Sequence, residues 1–125
     1  IKKAGLDRLG IGCKIGYIDM TLYRDDPFAV KKSGDSTDIP FDINGKEILL
    51  VDDVISSGRT VRASIDEIFD FGRPSKIKLA VFIDKEGREL PICPDFIGRK
   101  IKAEKNEIIN VNITSISDKK FVEKI

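Results

Sequence analysis

Residues 48 to 60 read Ile48-Leu49-Leu50-Val51-Asp52-Asp53-Val54-Ile55-Ser56-Ser57-Gly58-Arg59-Thr60: an apolar run, two adjacent carboxylates, a small polar loop and a helix start. No other segment restricts the fold so strongly. Four consecutive apolar residues predict a strand buried on both faces, as in a mostly parallel sheet flanked by helices, and the acids that end it are expected at the strand's carboxyl edge. Open α/β sheets bind their ligands at that edge. Ser56, Ser57 and Thr60 supply hydroxyls, and Gly58 permits close backbone approach. The helix beginning near Arg59 aims free N–H groups and the positive end of its dipole at the loop. An anion is the natural occupant. The neighbouring carboxylates would repel a bare phosphate but accept hydrogen bonds from sugar hydroxyls, so the pattern describes a site for a phosphorylated ribose.

The flanking sequence supplies the rest of an α/β pattern. Alternation from Lys14 to Tyr23 predicts a strand, followed from Arg24 to Gly45 by a polar segment longer than the roughly 12–15 residues at which structureless loops become uncommon. Asn44-Gly45 is a turn signal before a strand predicted over Glu47 to Val51. Thr60, or a residue just before it, is expected to cap a helix running to about Phe71, with Val61, Ile65, Ile68 and Phe69 on its apolar face. Gly72 stops that helix and Pro74 prevents its continuation. Ile77 to Ile83, ending in Asp84, predicts the second strand of a βαβ unit. Leu90 to Ile101 reads as loop with a short strand near Phe96 and Ile97; Ile108 to Ile113 and Phe121 to Ile125 suggest two more strands.

Composition removes several classes of chemistry. The 125 residues include 41% apolar and 34% charged side chains, ordinary for one globular domain, with a formal charge of +1 that leaves RNA binding open. No stretch approaches the roughly 18 apolar residues of a membrane span and the start lacks the layout of a secretory signal, so a cytoplasmic location is the expectation. Cys13 and Cys93 lack metal-ligand spacing, and the absence of histidine excludes Ser-His and Cys-His nucleophilic pairs.

Other uses of paired carboxylates fit less well. Glycosidase acids face each other across a bond at roughly 5–10 Å, which consecutive strand residues achieve poorly. In a receiver domain the acidic strand opens the fold, and the Ser-Ser-Gly-Arg-Thr loop would go unexplained. A P-loop is excluded by the absence of its Gly-x-x-x-x-Gly-Lys-Ser/Thr spacing. Two helix-capping aspartates on a buried strand would account for the acids but not for the loop.

The central stretch resembles the thirteen-residue phosphoribosyl pyrophosphate motif of type I phosphoribosyltransferases. Ile18-Asp19-Met20-Thr21-Leu22-Tyr23-Arg24-Asp25-Asp26, Asp38-Ile39-Pro40, Gly58-Arg59-Thr60-Val61-Arg62-Ala63, Gly72-Arg73-Pro74-Ser75 and Gly87-Arg88-Glu89-Leu90-Pro91-Ile92 narrow the resemblance to the PyrR family. That family couples attenuation of the pyrimidine operon, through its messenger RNA, to uracil phosphoribosyltransferase activity. The resemblance implies a type I phosphoribosyltransferase fold and a glycosyl transfer from phosphoribosyl pyrophosphate to uracil that gives UMP and pyrophosphate. Asp52 and Asp53 would hold the ribose 2′ and 3′ hydroxyls, Ser56, Ser57, Gly58, Arg59 and Thr60 would bind the 5′-phosphate, and Val54 would join them in the nucleotide-binding set. Arg24 would sit near the pyrophosphate in a closing loop, and Asp84 to Ile92 would form a hood over the base. Mg2+ would arrive bound through phosphoribosyl pyrophosphate, with no metal ligand supplied by the protein. Arg88 and Arg99 match the basic RNA-binding positions, UMP and UTP are the implied effectors, and a homodimer or higher oligomer is expected. An attenuator that uses the site only as a nucleotide sensor, without turnover, is the alternative reading.

Two positions depart from the family pattern: Gly87 stands where better-known members have histidine, and Cys93 where they have arginine. The start departs as well. Nothing before Ile15 matches the early strand and the basic-glycine loop that grips pyrophosphate, so residues 1–125 are read as a single, N-terminally incomplete domain.

Overall fold

The computed structural model describes residues 13–19, 37–102, 109–113 and 120–124. Its centre is a βαβ unit: β1 (Glu47–Ile55), α1 (Arg59–Phe71) and β2 (Lys76–Lys85). β1 and β2 pair in parallel from Glu47↔Lys76 to Ile55↔Asp84. β3 (Phe96–Ile101) adds in parallel to the other side of β2, giving the order β1-β2-β3. β4 (Ile109–Ile113) and β5 (Lys120–Lys124) form a separate antiparallel pair.

The turn signal before β1 holds. Gly45 takes φ 69°, a left-handed conformation suited to glycine, and Lys46 N–H closes the turn on the Ile43 carbonyl at 3.1 Å. Asn44 ties this turn to the end of α1, because its Oδ1 accepts the Arg73 N–H at 2.8 Å. Gly72, at φ 154°, ends the helix where a Cβ would lie 2.9 Å from Asn44 Oδ1. The expected helix stop is therefore also a packing requirement.

β1 differs from its expectation in length and burial. It runs past Val51 to Ile55 because Asp52, Val54 and Ile55 continue the register against Val81, Ile83 and Asp84. Leu49 and Val51 are 54% and 43% exposed, so the strand is covered on one face only among the described residues. Leu50, paired with Leu79, packs against a core of Ile55, Val61, Leu79 and Val81, as do Ile65, Ile92 and Ile97. The open face carries Leu49, Val51 and, across the pairing Val51↔Ala80↔Phe96, the exposed ring of Phe96.

α1 spans nearly the predicted residues, but its buried stripe is Val61, Ser64 and Ile68. Phe69, expected on that face, is 53% exposed. Position 69 lies about 100° around the helix from Ile68, beyond the stripe that meets the sheet. Ser64 enters the core because its hydroxyl donates to the Thr60 carbonyl at 2.9 Å.

The strand expected over Lys14 to Tyr23 is reduced, within its described part, to an isolated antiparallel bridge. Tyr17 and Asp38 exchange two backbone hydrogen bonds of 2.8 Å each. Residues 20–23 of that expected strand lie outside the described residues.

The crossover from β2 to β3 determines what covers the ligand edge. A parallel neighbour starts at the opposite end of the sheet, so residues 86–95 must travel back along β2. Ile92 packs on the core as they do so, and Asp95 fixes the arrival by accepting the Leu79 N–H on Oδ2 and donating its own N–H to the Leu79 carbonyl, both at 2.8 Å. β3 then passes β2 closely at Gly98, where a Cβ would stand 2.6 Å from the Phe82 carbonyl oxygen.

Candidate functional site

The carboxyl edge of β1 leads into Ser56, Ser57 and Gly58, then α1. Gly58 is the N-cap at φ 91° and ψ −2°, and no side chain caps the helix. The cap expected at Thr60 or just before it is Gly58, whose left-handed turn swings the chain from strand to helix. Ser57 Oγ instead accepts the Arg59 N–H at 3.2 Å, which tightens the loop onto the first turn of α1. The first turn holds no acidic residue, so the positive end of the helix dipole is not offset there.

The two aspartates lie within the last residues of β1 rather than beyond its end. Strand alternation sends them to opposite faces: Asp52 is half-buried on the face of Val81, Asp53 is exposed on the other. Asp52 Oδ1 accepts the Asp53 N–H and Asp53 Oδ1 accepts the Val54 N–H, each at 2.8 Å. Both carboxylates are therefore held close to the main chain, at the entrance to the loop.

The segment after β2 folds down onto that loop. Arg88 Nη1 donates to the Ser56 carbonyl at 2.9 Å, and Nη2 pairs with Asp84 Oδ1 at 2.9 Å, with the two side chains only 27% and 13% exposed. Glu89 and Leu90 both donate their N–H groups to the Ser57 carbonyl, at 2.9 and 3.1 Å. Arg59 Nε meets Glu89 Oε2 at 2.6 Å, an exposed pair worth about 0–1 kcal/mol. Gly87, at φ 123°, makes the turn that brings Arg88 back, and its position faces Ser56 Oγ. The Asp84–Arg88 pair was not legible as a site feature in the sequence. Its only local signal is Gly87, which lets an acid and an arginine four residues apart meet outside a helix.

The sequence-predicted residues thus fall into three groups. Asp52, Asp53, Val54, Ser56, Ser57, Gly58, Arg59 and Thr60 form one continuous strand-loop-helix edge, and Arg88 is joined to it. Arg99 stands apart, exposed on β3 opposite Ile83. Arg24 lies outside the described residues. Among the described residues no cluster of three His, Cys, Asp or Glu side chains could hold a metal ion.

Residues 3–115 match the model of the phosphoribosyl transferase domain family. The Bifunctional protein PyrR 1 of Lactiplantibacillus plantarum is 52% identical over 82% of this chain and 59% of its own length. The Bifunctional protein PyrR of a Picosynechococcus species is 44% identical over 93% of this chain and 66% of its own. For the Bifunctional protein PyrR of a Listeria monocytogenes serotype 4b strain the values are 46%, 94% and 67%. This chain therefore spans about 59–67% of the length of these relatives. A strand-loop-helix edge with two acids at its entrance, a parallel βαβ frame and identity of this extent lead to one conclusion: the chain belongs to the phosphoribosyl transferase domain family, and within it to the PyrR proteins.

Proposed function

We propose that this protein transfers a phosphoribosyl group from phosphoribosyl pyrophosphate to uracil, and that it binds pyr messenger RNA in response to uridine nucleotides. The observation that carries the first part is the edge itself: Asp52 and Asp53 lead directly into a loop whose glycine N-cap opens α1 toward an anion. In this reading the 5′-phosphate sits against residues 56–60, and Asp52 and Asp53 accept hydrogen bonds from the 2′ and 3′ hydroxyls.

With the ribose so held, a uracil nitrogen forms its bond to C1′ as the C1′–oxygen bond to pyrophosphate breaks, and the nitrogen's proton passes to solvent. Positive charge develops on the ribose, and keeping water from it protects it from hydrolysis, while Asp84 to Ile92 is assigned to the hood over the base. Arg24 is assigned to the departing pyrophosphate. Asp52 and Asp53 place hard carboxylate oxygens beside the proposed ribose position, the donor type that suits Mg2+ brought in by its substrate. When bound, the ion supplies charge neutralisation on pyrophosphate.

For RNA, Arg88 and Arg99 are the assigned positions. The curated relatives' name, bifunctional, supports a second activity beside the transfer. Arg99 is exposed beside Lys100 on β3, where guanidinium can pair with phosphate or stack on an unpaired base. Self-association as a homodimer or higher oligomer is part of the same proposal. Among the described residues no helix is long and apolar enough to cross a membrane.

The test is incubation with uracil, labelled phosphoribosyl pyrophosphate and Mg2+. Labelled UMP is the expected product, and its absence would remove the enzyme reading. RNA affinity measured with and without UMP decides the regulatory half.

A further inference from the structure

We propose that Arg88 is a positioning residue for the phosphate loop, setting which way the loop's amides point. The inference rests on the reading of residues 56–60 as the phosphate site. It starts from the carbonyls of Ser56 and Ser57, both of which are turned toward the 88–90 segment: the first accepts Arg88 Nη1 at 2.9 Å, the second the N–H groups of Glu89 and Leu90 at 2.9 and 3.1 Å. A trans peptide is planar, with its C=O and N–H directed oppositely. Fixing the Ser56 carbonyl therefore aims the Ser57 N–H away from the segment, and fixing the Ser57 carbonyl does the same for the Gly58 N–H. Two consecutive amides directed into one concavity make an anion-binding nest. Among the described residues neither amide is hydrogen-bonded to the protein.

Arg88 suits this task because its planar fork reaches two acceptors at once. Asp84, 13% exposed and held in the β1–β2 register opposite Ile55, takes the second nitrogen and so references the guanidinium to the sheet. A lysine could meet one acceptor but not hold both in this geometry. Gly58 completes the arrangement: it supplies the left-handed turn at φ 91°, and a Cβ built on it would come within 3.5–3.7 Å of Leu90, Arg88 Cδ and Ile92.

The experiment compares wild type, Arg88→Ala, Arg88→Lys and Asp84→Asn by NMR titration with UMP and with uridine, which lacks the phosphate. Arg88→Ala and Asp84→Asn are expected to lose at least tenfold in UMP affinity while uridine affinity changes less than twofold, with Arg88→Lys between wild type and alanine. Amide exchange in the ligand-free protein should be faster at Glu89 and Leu90 in Arg88→Ala. UMP affinity equal to wild type in Arg88→Ala, or equal losses for UMP and uridine, would overturn the proposal. If wild type binds no UMP, the phosphate-site reading itself fails; unchanged exchange at Glu89 and Leu90 then overturns the positioning role as well, whereas faster exchange upholds Arg88 as the residue that orients the loop.

Discussion

Asp53 donates its N–H to Asp52 Oδ1 at 2.8 Å, so the first acid of the pair orients the backbone that carries the second. The two carboxylates cannot be equivalent, because one stands on the helix-covered face and the other on the open face. Asp53→Asn keeps the size and the open-face position but removes the charge that accepts from a sugar hydroxyl. It is expected to weaken UMP binding about tenfold, the worth of one charge-assisted hydrogen bond. Calorimetric titration checks this, and equal affinity would contradict the role assigned to Asp53.

Gly58→Ala tests the turn into α1. A Cβ there would meet Leu90, Arg88 and Ile92 at 3.5–3.7 Å, which is ordinary contact, so the penalty comes from φ 91° rather than from a clash. A left-handed alanine costs about 1–2 kcal/mol. Urea unfolding should show a free energy lower by that amount, read as a lower midpoint with an unchanged slope; a loss of only a few tenths of a kcal/mol would mean that the turn relaxes freely.

At Gly98 the obstacle is different. Its Cβ would lie 2.6 Å from the Phe82 carbonyl oxygen, a backbone atom inside the sheet that cannot swing aside. Gly98→Ala is expected to cost about 2–3 kcal/mol, toward the upper end of overpacking penalties, and more than Gly58→Ala. The same urea experiment ranks the two, and the reverse order would show that β3 shifts easily against β2.

Acid sensitivity is expected at the opposite end of the sheet. The Asn44 backbone N–H first, and then its side-chain amide, hold the Asp42 carboxyl below the usual value of 3.8, with Lys46 and Lys14 adding smaller attractions against a small opposing effect of burial. A lowered carboxyl pKa stabilises the fold above the unfolded value and loses that contribution as the pH falls through the folded one. The stability difference between wild type and Asp42→Ala should therefore be full at neutral pH and shrink in acid below 3.8. A difference independent of pH would locate the effect elsewhere.

Local chemistry made much of this chain readable. Asn44-Gly45, Gly72 with Pro74, and the apolar runs of β1 and β2 each act over a few residues, and the structure places turn, helix stop and strands accordingly. What escaped depends on partners distant in sequence. Ser64 is polar, so an apolar-face count passes over it, yet the Thr60 carbonyl lets it pack in the stripe that Phe69 was expected to share. The length of β1 was hidden because carboxylates look like a strand end until the register with Val81 and Ile83 is known. The candidate site was legible as a linear stretch, but its bracing was not: Ser56 and Ser57 are oriented by residues some thirty positions later.

Every pair between β1 and β2 has the same sequence separation, from Glu47↔Lys76 to Ile55↔Asp84. The first pair to form bears the entropy of closing the intervening chain, and each later pair adds with almost no further closure. Assembly of this edge is then a zipper, whose last tooth, Ile55↔Asp84, sets Ser56 beside the carboxylate that holds Arg88. A chain lacking that terminal pair would keep most of its sheet and still lack the cradle, so the capacity to bind an anion depends on the sheet closing to its very end.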